Sequence, residues 1–262
     1  MLAVESPWHA QIEQLRDKGF VVVPQFVPAD GLAKLNEAAR AQLAARADPL
    51  EFEADLQYPG APASRTAAGG ETVRRLLDAY GRDAEFARWG TAPALREWME
   101  AYFGERVLMS RAHHNCLMTK HPLYGSLTNW HRDMRYWSFE CEELISVWFA
   151  LGEEHVDNGA LWFVPDSHRM AFDSSRFDEA KFFRTDHAGS AVAADSAAVL
   201  RTAESPRLAP GDAVFFHCRT LHSAGQNRTD AVKYSLVYTY HGLSNAPRAR
   251  TRSASKPEVE LR

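Results

Sequence analysis

The segment Asn129-Trp130-His131-Arg132-Asp133 places an imidazole and a carboxylate two residues apart. In an extended strand, residues i and i+2 project from one face, so His131 and Asp133 are expected side by side. Side chains so placed can fill two adjacent positions on one metal ion. A second segment, Phe216-His217-Cys218-Arg219-Thr220-Leu221-His222, follows an apolar strand with two more histidines. If His222 meets the first pair across a barrel, two histidines and one carboxylate hold one face of a metal. The opposite face stays open, as an iron(II) oxygenase requires for a co-substrate and dioxygen. Zinc usually takes four ligands and leaves at most one open site, so it fits less well. An ordinary reading stands beside this one: Asp133 paired with Arg132 or Arg135, and His217 and His222 as an interior and a loop histidine.

Other elements must position these residues. Ser6-Pro7 reads as the opening of a helix that runs to about Lys18, where Gly19 stops it. Phe20-Val21-Val22-Val23 is short and β-branched, hence a strand ended by Pro24. Leu32, Leu35, Ala39 and Leu43 recur at helical steps after Pro28. Residues 48–70 are broken by prolines and glycines and read as a long loop, a candidate lid. Helical patterns return at Thr72–Trp89 and Ala94–Phe103. From Glu105 onward the character changes: Arg106–Met118, Leu144–Leu151, Leu161–Val164, Ala213–His217 and Tyr234–His241 are aromatic or β-branched and read as strands. Asn158-Gly159 and Pro210-Gly211-Asp212 supply turns between them. Helices first and strands afterwards argue an α+β fold with a sandwich or barrel as its body. The expected division is a single domain over 1–246 and a basic, mobile or surface tail over 247–262.

Composition narrows the classes. The chain has 262 residues, 45% hydrophobic and 24% charged, with a formal net charge of -4. That balance is ordinary for a globular protein and gives no reason to expect nucleic acid as a partner. No apolar stretch has the length of a membrane span. Glu5 comes early and no basic-then-apolar run opens the chain, a poor secretory signal. The three cysteines, Cys116, Cys141 and Cys218, are widely spaced and fit reduced thiols in a cytoplasm. The 11 histidines are the compositional oddity.

Several further motifs carry a resemblance. They are Asp17-Lys18-Gly19-Phe20-Val21-Val22 near the start, Lys120-His121-Pro122 before Trp130-His131-Arg132-Asp133, and Val147-Trp148-Phe149-Ala150-Leu151. Asp157-Asn158-Gly159-Ala160-Leu161-Trp162-Phe163-Val164-Pro165-Asp166-Ser167-His168 follows, then Pro210-Gly211-Asp212 and His222-Ser223-Ala224-Gly225-Gln226-Asn227. Together they resemble the phytanoyl-CoA dioxygenase family of iron(II)/2-oxoglutarate oxygenases over nearly the whole chain. The resemblance implies a double-stranded β-helix, a jelly-roll or cupin-like barrel with helices packed on it. It implies Fe(II), 2-oxoglutarate and O2 as cofactor and co-substrates, with His131, Asp133 and His222 as iron ligands. It also implies a basic residue eleven positions after the distal histidine to meet the far carboxylate of 2-oxoglutarate. Here that residue is Lys233 instead of the usual arginine, a point charge where arginine offers a fork; Arg228 is an alternative. Trp148 and Cys116 match positions that lie near the co-substrate, with plain core packing as the other reading of each.

The expected activity is hydroxylation or a related oxidation of a small molecule, with 2-oxoglutarate decarboxylated to succinate and CO2. Related halogenating enzymes carry a small residue at the Asp133 position, so a carboxylate there favours hydroxylation. Two other classes compete: a non-catalytic metal- and oxo-acid-binding module of the same fold, and an O2-independent cupin-type isomerase or hydrolase. Tyr136, Trp137, Tyr238 and Tyr240 are the expected pocket lining. His113 and His114, as strand neighbours, are expected to face opposite sides, one of them toward the pocket. The substrate and the oligomeric state are not legible at this level.

Overall fold

The computed structural model describes residues 6–185 and 191–262; residues 1–5, with Glu5, and 186–190, with His187, lie outside the described residues. Helix α1 (His9–Lys18) ends at Gly19, whose φ of 82° favours a residue without a side chain. A Cβ there would also stand 2.5 Å from His168 Nδ1 and 2.6 Å from Thr220 Oγ1. Strand β1 (Phe20–Val23) and helix α2 (Ala29–Ala45) follow as the patterning predicts.

Two readings need correction. The 48–70 loop contains a strand, β2 (Leu50–Phe52), and one helical turn, α3 (Glu53–Leu56). The Thr72–Trp89 helix begins as a strand, β3 (Val73–Leu77), before α4 (Ala79–Arg82) and α5 (Ala84–Gly90). β3 pairs with β2 on one side and with β4 (Val107–Lys120) on the other, and that ladder overrides the local helical pattern. Helix α6 (Pro93–Phe103) matches expectation.

The strand-rich body comprises β4, β5 (Thr128–His131), β6 (Ile145–Ala150) and β7 (Leu161–Phe163). After α7 (Ala191–Leu200) come β8 (Ala213–His217), β9 (His222–Ala224), β10 (Lys233–Gly242) and β11 (Val259–Glu260). A large antiparallel sheet runs β1-β8-β6-β10-β4-β3-β2, with β11 added to β4; a small one runs β5-β9-β7. Together they form a double-stranded β-helix with the front helices packed on it.

Alternation gives each strand of the large sheet two faces. Ile145, Val147, Phe149, Phe215, Leu236, Tyr238 and Tyr240 pack outward in one core with the helices, among them Leu35, Phe86, Leu95 and Trp98. Trp148, Ala150, Val214, Phe216 and Val237 point inward and meet Leu161, Phe163 and Ala224 of the small sheet. Lys233 and Ser235 share the inward parity of Val237 and line the interior. Tyr238 and Tyr240 therefore do not line the pocket: their hydroxyls donate to Phe86 O (2.7 Å) and Gly90 O (2.8 Å) on the helical side.

Residues 247–262 lie largely at the surface, with their end anchored on the barrel. β11 pairs with β4, Leu261 is buried in the outer core, and Ser253 Oγ accepts from Ser138 N at 2.8 Å. No helix among the described residues is long and apolar enough to cross a membrane.

Candidate metal centre

His131 and His222 are direct cross-strand partners on β5 and β9, so sheet pairing alone brings the two imidazoles together. β5 ends at His131, and Asp133 begins a 3-10 turn, Asp133–Tyr136. Arg132 between them is extended (φ -108°, ψ 140°), so the i, i+2 relation holds past the strand end. Arg132 itself turns away, donating to the carbonyls of Ser167 and Met170.

The three side chains are buried, and one ligand atom from each lies within 4.8 Å of the others. His131 Nδ1 is 2.8 Å from Asn129 O and His222 Nδ1 is 3.0 Å from Thr220 O. Each carbonyl holds the proton on Nδ1, leaving the Nε2 lone pair to face Asp133. The Nε2 atoms stand 3.8 and 3.7 Å from Asp133 Oδ1. That is too far for hydrogen bonds and a spacing that one bridging ion spans. Burial pushes the His131 imidazole well below its ordinary pKa, the neutral state a metal ligand requires. Asp133 Oδ2 accepts from Ser146 Oγ at 3.3 Å, and His114 Nε2 lies 3.5 Å from Oδ1.

The cluster opens into a cavity of about 510 Å3 between the sheets. Lys233, Trp148 and Cys116 all line it. Burial raises the Cys116 thiol's pKa, so it packs as a neutral group. Arg228 is exposed and is not among the cavity-lining residues. Tyr136 and Trp137 line the cavity as expected. So do both His113 and His114, because residues 111–114 have no partners on β10 and the alternation lapses there.

The interior also holds charges that local patterning does not reveal. Lys233 Nζ donates to Glu154 Oε2 at 2.8 Å, and Glu154 Oε1 accepts from Ser235 Oγ (2.6 Å) and Trp148 Nε1 (2.8 Å). Lys120 is the cross-strand partner of Lys233 and donates to Ser126 O at 2.7 Å. Burial, followed by the charges of Arg74 and Lys233, drives the Lys120 pKa well below its ordinary value. Arg74 pairs with buried Glu53 at 3.0 Å, and Arg75 pairs with Glu51 at 2.5 Å. Sequence reasoning placed Arg74 and Arg75 on a helix and so missed them. Their signal was the apolar frame of Val73 and Leu76-Leu77, which suits a strand equally well. Lys120 stood within a quoted motif, while Glu154 gave no signal.

Two like charges facing each other across a buried ladder are destabilising unless an anion is near. Here Glu154 is the anion beside Lys233, and Lys120 and Lys233 stand side by side on the cavity wall. The donor set of two imidazoles and one carboxylate fits iron(II) with an open face.

Residues 15–235 match the family described as Phytanoyl-CoA dioxygenase (PhyH). The peroxisomal phytanoyl-CoA dioxygenase of Homo sapiens is 24% identical over 226 residues, covering 84% of this chain. The chain spans 64% of that relative's length. Among solved structures, EctD from S. alaskensis with 2-oxoglutarate and 5-hydroxyectoine aligns with a TM-score of 0.75 at 19% identity, covering 100% of this chain and 89% of that one. The epimerase SnoN, in complex with Fe3+, alpha ketoglutarate and nogalamycin RO, aligns with a TM-score of 0.69 at 23% identity, covering 91% and 86%. Likeness at such identities speaks for the fold. The family match covers most of the chain, and the buried His131, Asp133 and His222 are in keeping with the iron and 2-oxoglutarate that go with it. The chain belongs to the phytanoyl-CoA dioxygenase family of iron(II)/2-oxoglutarate oxygenases.

Proposed function

We propose that this chain is an iron(II)- and 2-oxoglutarate-dependent dioxygenase that hydroxylates a small molecule, forming succinate and CO2. The observation that carries the reading is the convergence of His131, Asp133 and His222 at the wall of a cavity that also holds two facing buried lysines. When bound, iron(II) and 2-oxoglutarate supply the activation of dioxygen and the oxidation of substrate. The residues of the chain do the rest. His131 and His222 present Nε2 lone pairs because backbone carbonyls hold their other nitrogens. Asp133 adds the anionic donor, steadied by Ser146. Lys233, with Lys120 opposite, receives the far carboxylate of the oxo-acid. Glu154 holds Lys233 in place, and Trp148 and Cys116 wall the space between. Phe163 and Phe216 pack against His222, giving an apolar surround that excludes water from the reacting atoms.

The test is succinate formation from 2-oxoglutarate with iron(II) and oxygen across a panel of small molecules. His131→Ala and Asp133→Ala should abolish it; full activity in either would remove that residue from the ligand set. Product mass separates the outcomes, because hydroxylation adds one oxygen atom, whereas an epimerisation leaves the mass unchanged. Activity that persists under strict anaerobiosis would instead support the cupin-type isomerase or hydrolase.

A further inference from the structure

Among the described cations of the cavity that are not exposed, Arg135 is the one whose neighbours leave it incomplete. Arg74, Arg75 and Lys233 each pair with an acid, and Lys120 donates to a carbonyl. Arg135 has no ion pair among the described residues. It lies two residues beyond Asp133 on the 3-10 turn and lines the same cavity. Its Nη2 reaches only the Tyr58 hydroxyl, at a long 3.5 Å. Its Nη1 is buried with no hydrogen-bond partner. A guanidinium nitrogen left so is costly, because the water it gave up is not replaced.

Aromatic rings hold this guanidinium in position. Its carbon lies 4.2 Å from the Phe182 ring centroid and 4.9 Å from that of Tyr136. Phe182 also packs edge-on against His131, with centroids 5.9 Å apart, so a single ring separates Arg135 from the metal centre. Tyr58 meets Phe182 edge-on at 5.6 Å and closes the other side. Arg252, exposed and also without an ion pair among the described residues, lines the same cavity and adds positive charge. The dicarboxylate co-substrate is accounted for by Lys233 and Lys120, which leaves the Arg135 fork for another ligand.

We infer that Arg135 binds an oxyanion, a carboxylate or phosphate, on the substrate, and that this enzyme oxidises anionic small molecules with an apolar or ring-bearing body. The inference rests on the oxygenase reading and names its substrate class. A planar fork flanked by rings suits a carboxylate whose attached body lies against Phe182 and Tyr136. The anchored end sits beside the metal centre, so the carbon to be oxidised lies a short distance from the charged group.

The test uses benzoate and its neutral counterpart benzamide as probes. Each is titrated by calorimetry into the full chain loaded with iron(II) and 2-oxoglutarate under nitrogen. Benzoate should bind more tightly than benzamide by roughly tenfold or more, in addition to 2-oxoglutarate and not in competition with it. Arg135→Gln should remove that preference, and Arg135→Lys should retain part of it. Should Arg135→Gln fail to fold, the drop in preference in Arg135→Lys carries the test. Equal binding of the two probes by the native chain, or an unchanged preference in Arg135→Gln, would overturn the assignment. If iron and 2-oxoglutarate do not load, the oxygenase reading fails; the same titrations on the metal-free chain then still decide the role of Arg135.

Discussion

Lys233 and Glu154 form a pair that is worth more intact than either member alone. Both are buried, and the carboxylate also accepts from Trp148 and Ser235. Lys233→Met removes the cation and leaves Glu154 charged in the interior. The expected loss is about 3–5 kcal/mol, read from urea unfolding of the metal-free chain. Adding Glu154→Gln to that variant should recover part of the loss, since the neutral amide no longer needs a counter-ion. A double variant whose loss equals the sum of the Lys233→Met and Glu154→Gln losses would show that the pair is not coupled. At this scale the sequence was informative where chemistry depends on neighbours in the chain. His131 and Asp133 are set by one extended residue between them. The acid that pairs with Lys233 is 79 positions away, and no local pattern announces it.

The C-terminal segment shows how an element too short to be read can still be structural. β11 is only two residues, Val259–Glu260, yet it extends the large sheet on β4 and delivers Leu261 into the outer core. Leu261 N donates to Val107 O at 3.0 Å, and Leu261 is 3% exposed. Leu261→Ala should therefore cost about 2–4 kcal/mol, seen as a lower midpoint in thermal or urea unfolding. A midpoint equal to the native one would mean that the segment does not contribute to the core. The longer elements were legible because their periodicity extends over several residues: β4, β6, β8 and β10 all lie where β-branched and aromatic residues cluster. β3 was not, since Val73-Arg74-Arg75-Leu76-Leu77 fits a helix until Glu53, Ser126 and Thr128 arrive to bury Arg74.

The whole molecule carries several histidines that its interior keeps uncharged. Burial, then the charge of Arg252, pushes His113 down to about 3, and burial lowers His114 and His131 as well. The unfolded chain takes up protons at these groups near the ordinary histidine value, while the folded chain does not. Stability from this source is therefore complete above about pH 6.5 and is lost as pH falls below it, for His113 down to about 3, by up to about 1.4 kcal/mol per pH unit for each group. Urea unfolding of the metal-free chain at about pH 7.5 and about pH 5.5 should show the decline. In His113→Gln the decline should be shallower by one group's share; an identical slope would show that His113 is not held neutral by the fold.

The sequence by itself picked out His131, Asp133 and His222 as candidate metal ligands, the places of the main barrel strands and the strand-rich character of the second half. Each rests on short-range spacing, or on motifs whose residues lie close together along the chain. Only the tertiary structure decided which charges face the cavity, how they pair and which tyrosines point away from it. Parity along β10 sent Tyr238 and Tyr240 to the helices and Lys233 to the interior. Cross-strand register set Lys120 against Lys233. Arg135 was visible only as a surface partner for Asp133 until folding closed Tyr58 and Phe182 around it. The physical reason is common to all three. A charge buried by folding takes its meaning from groups brought near by sheet pairing and packing, and those lie far away in sequence.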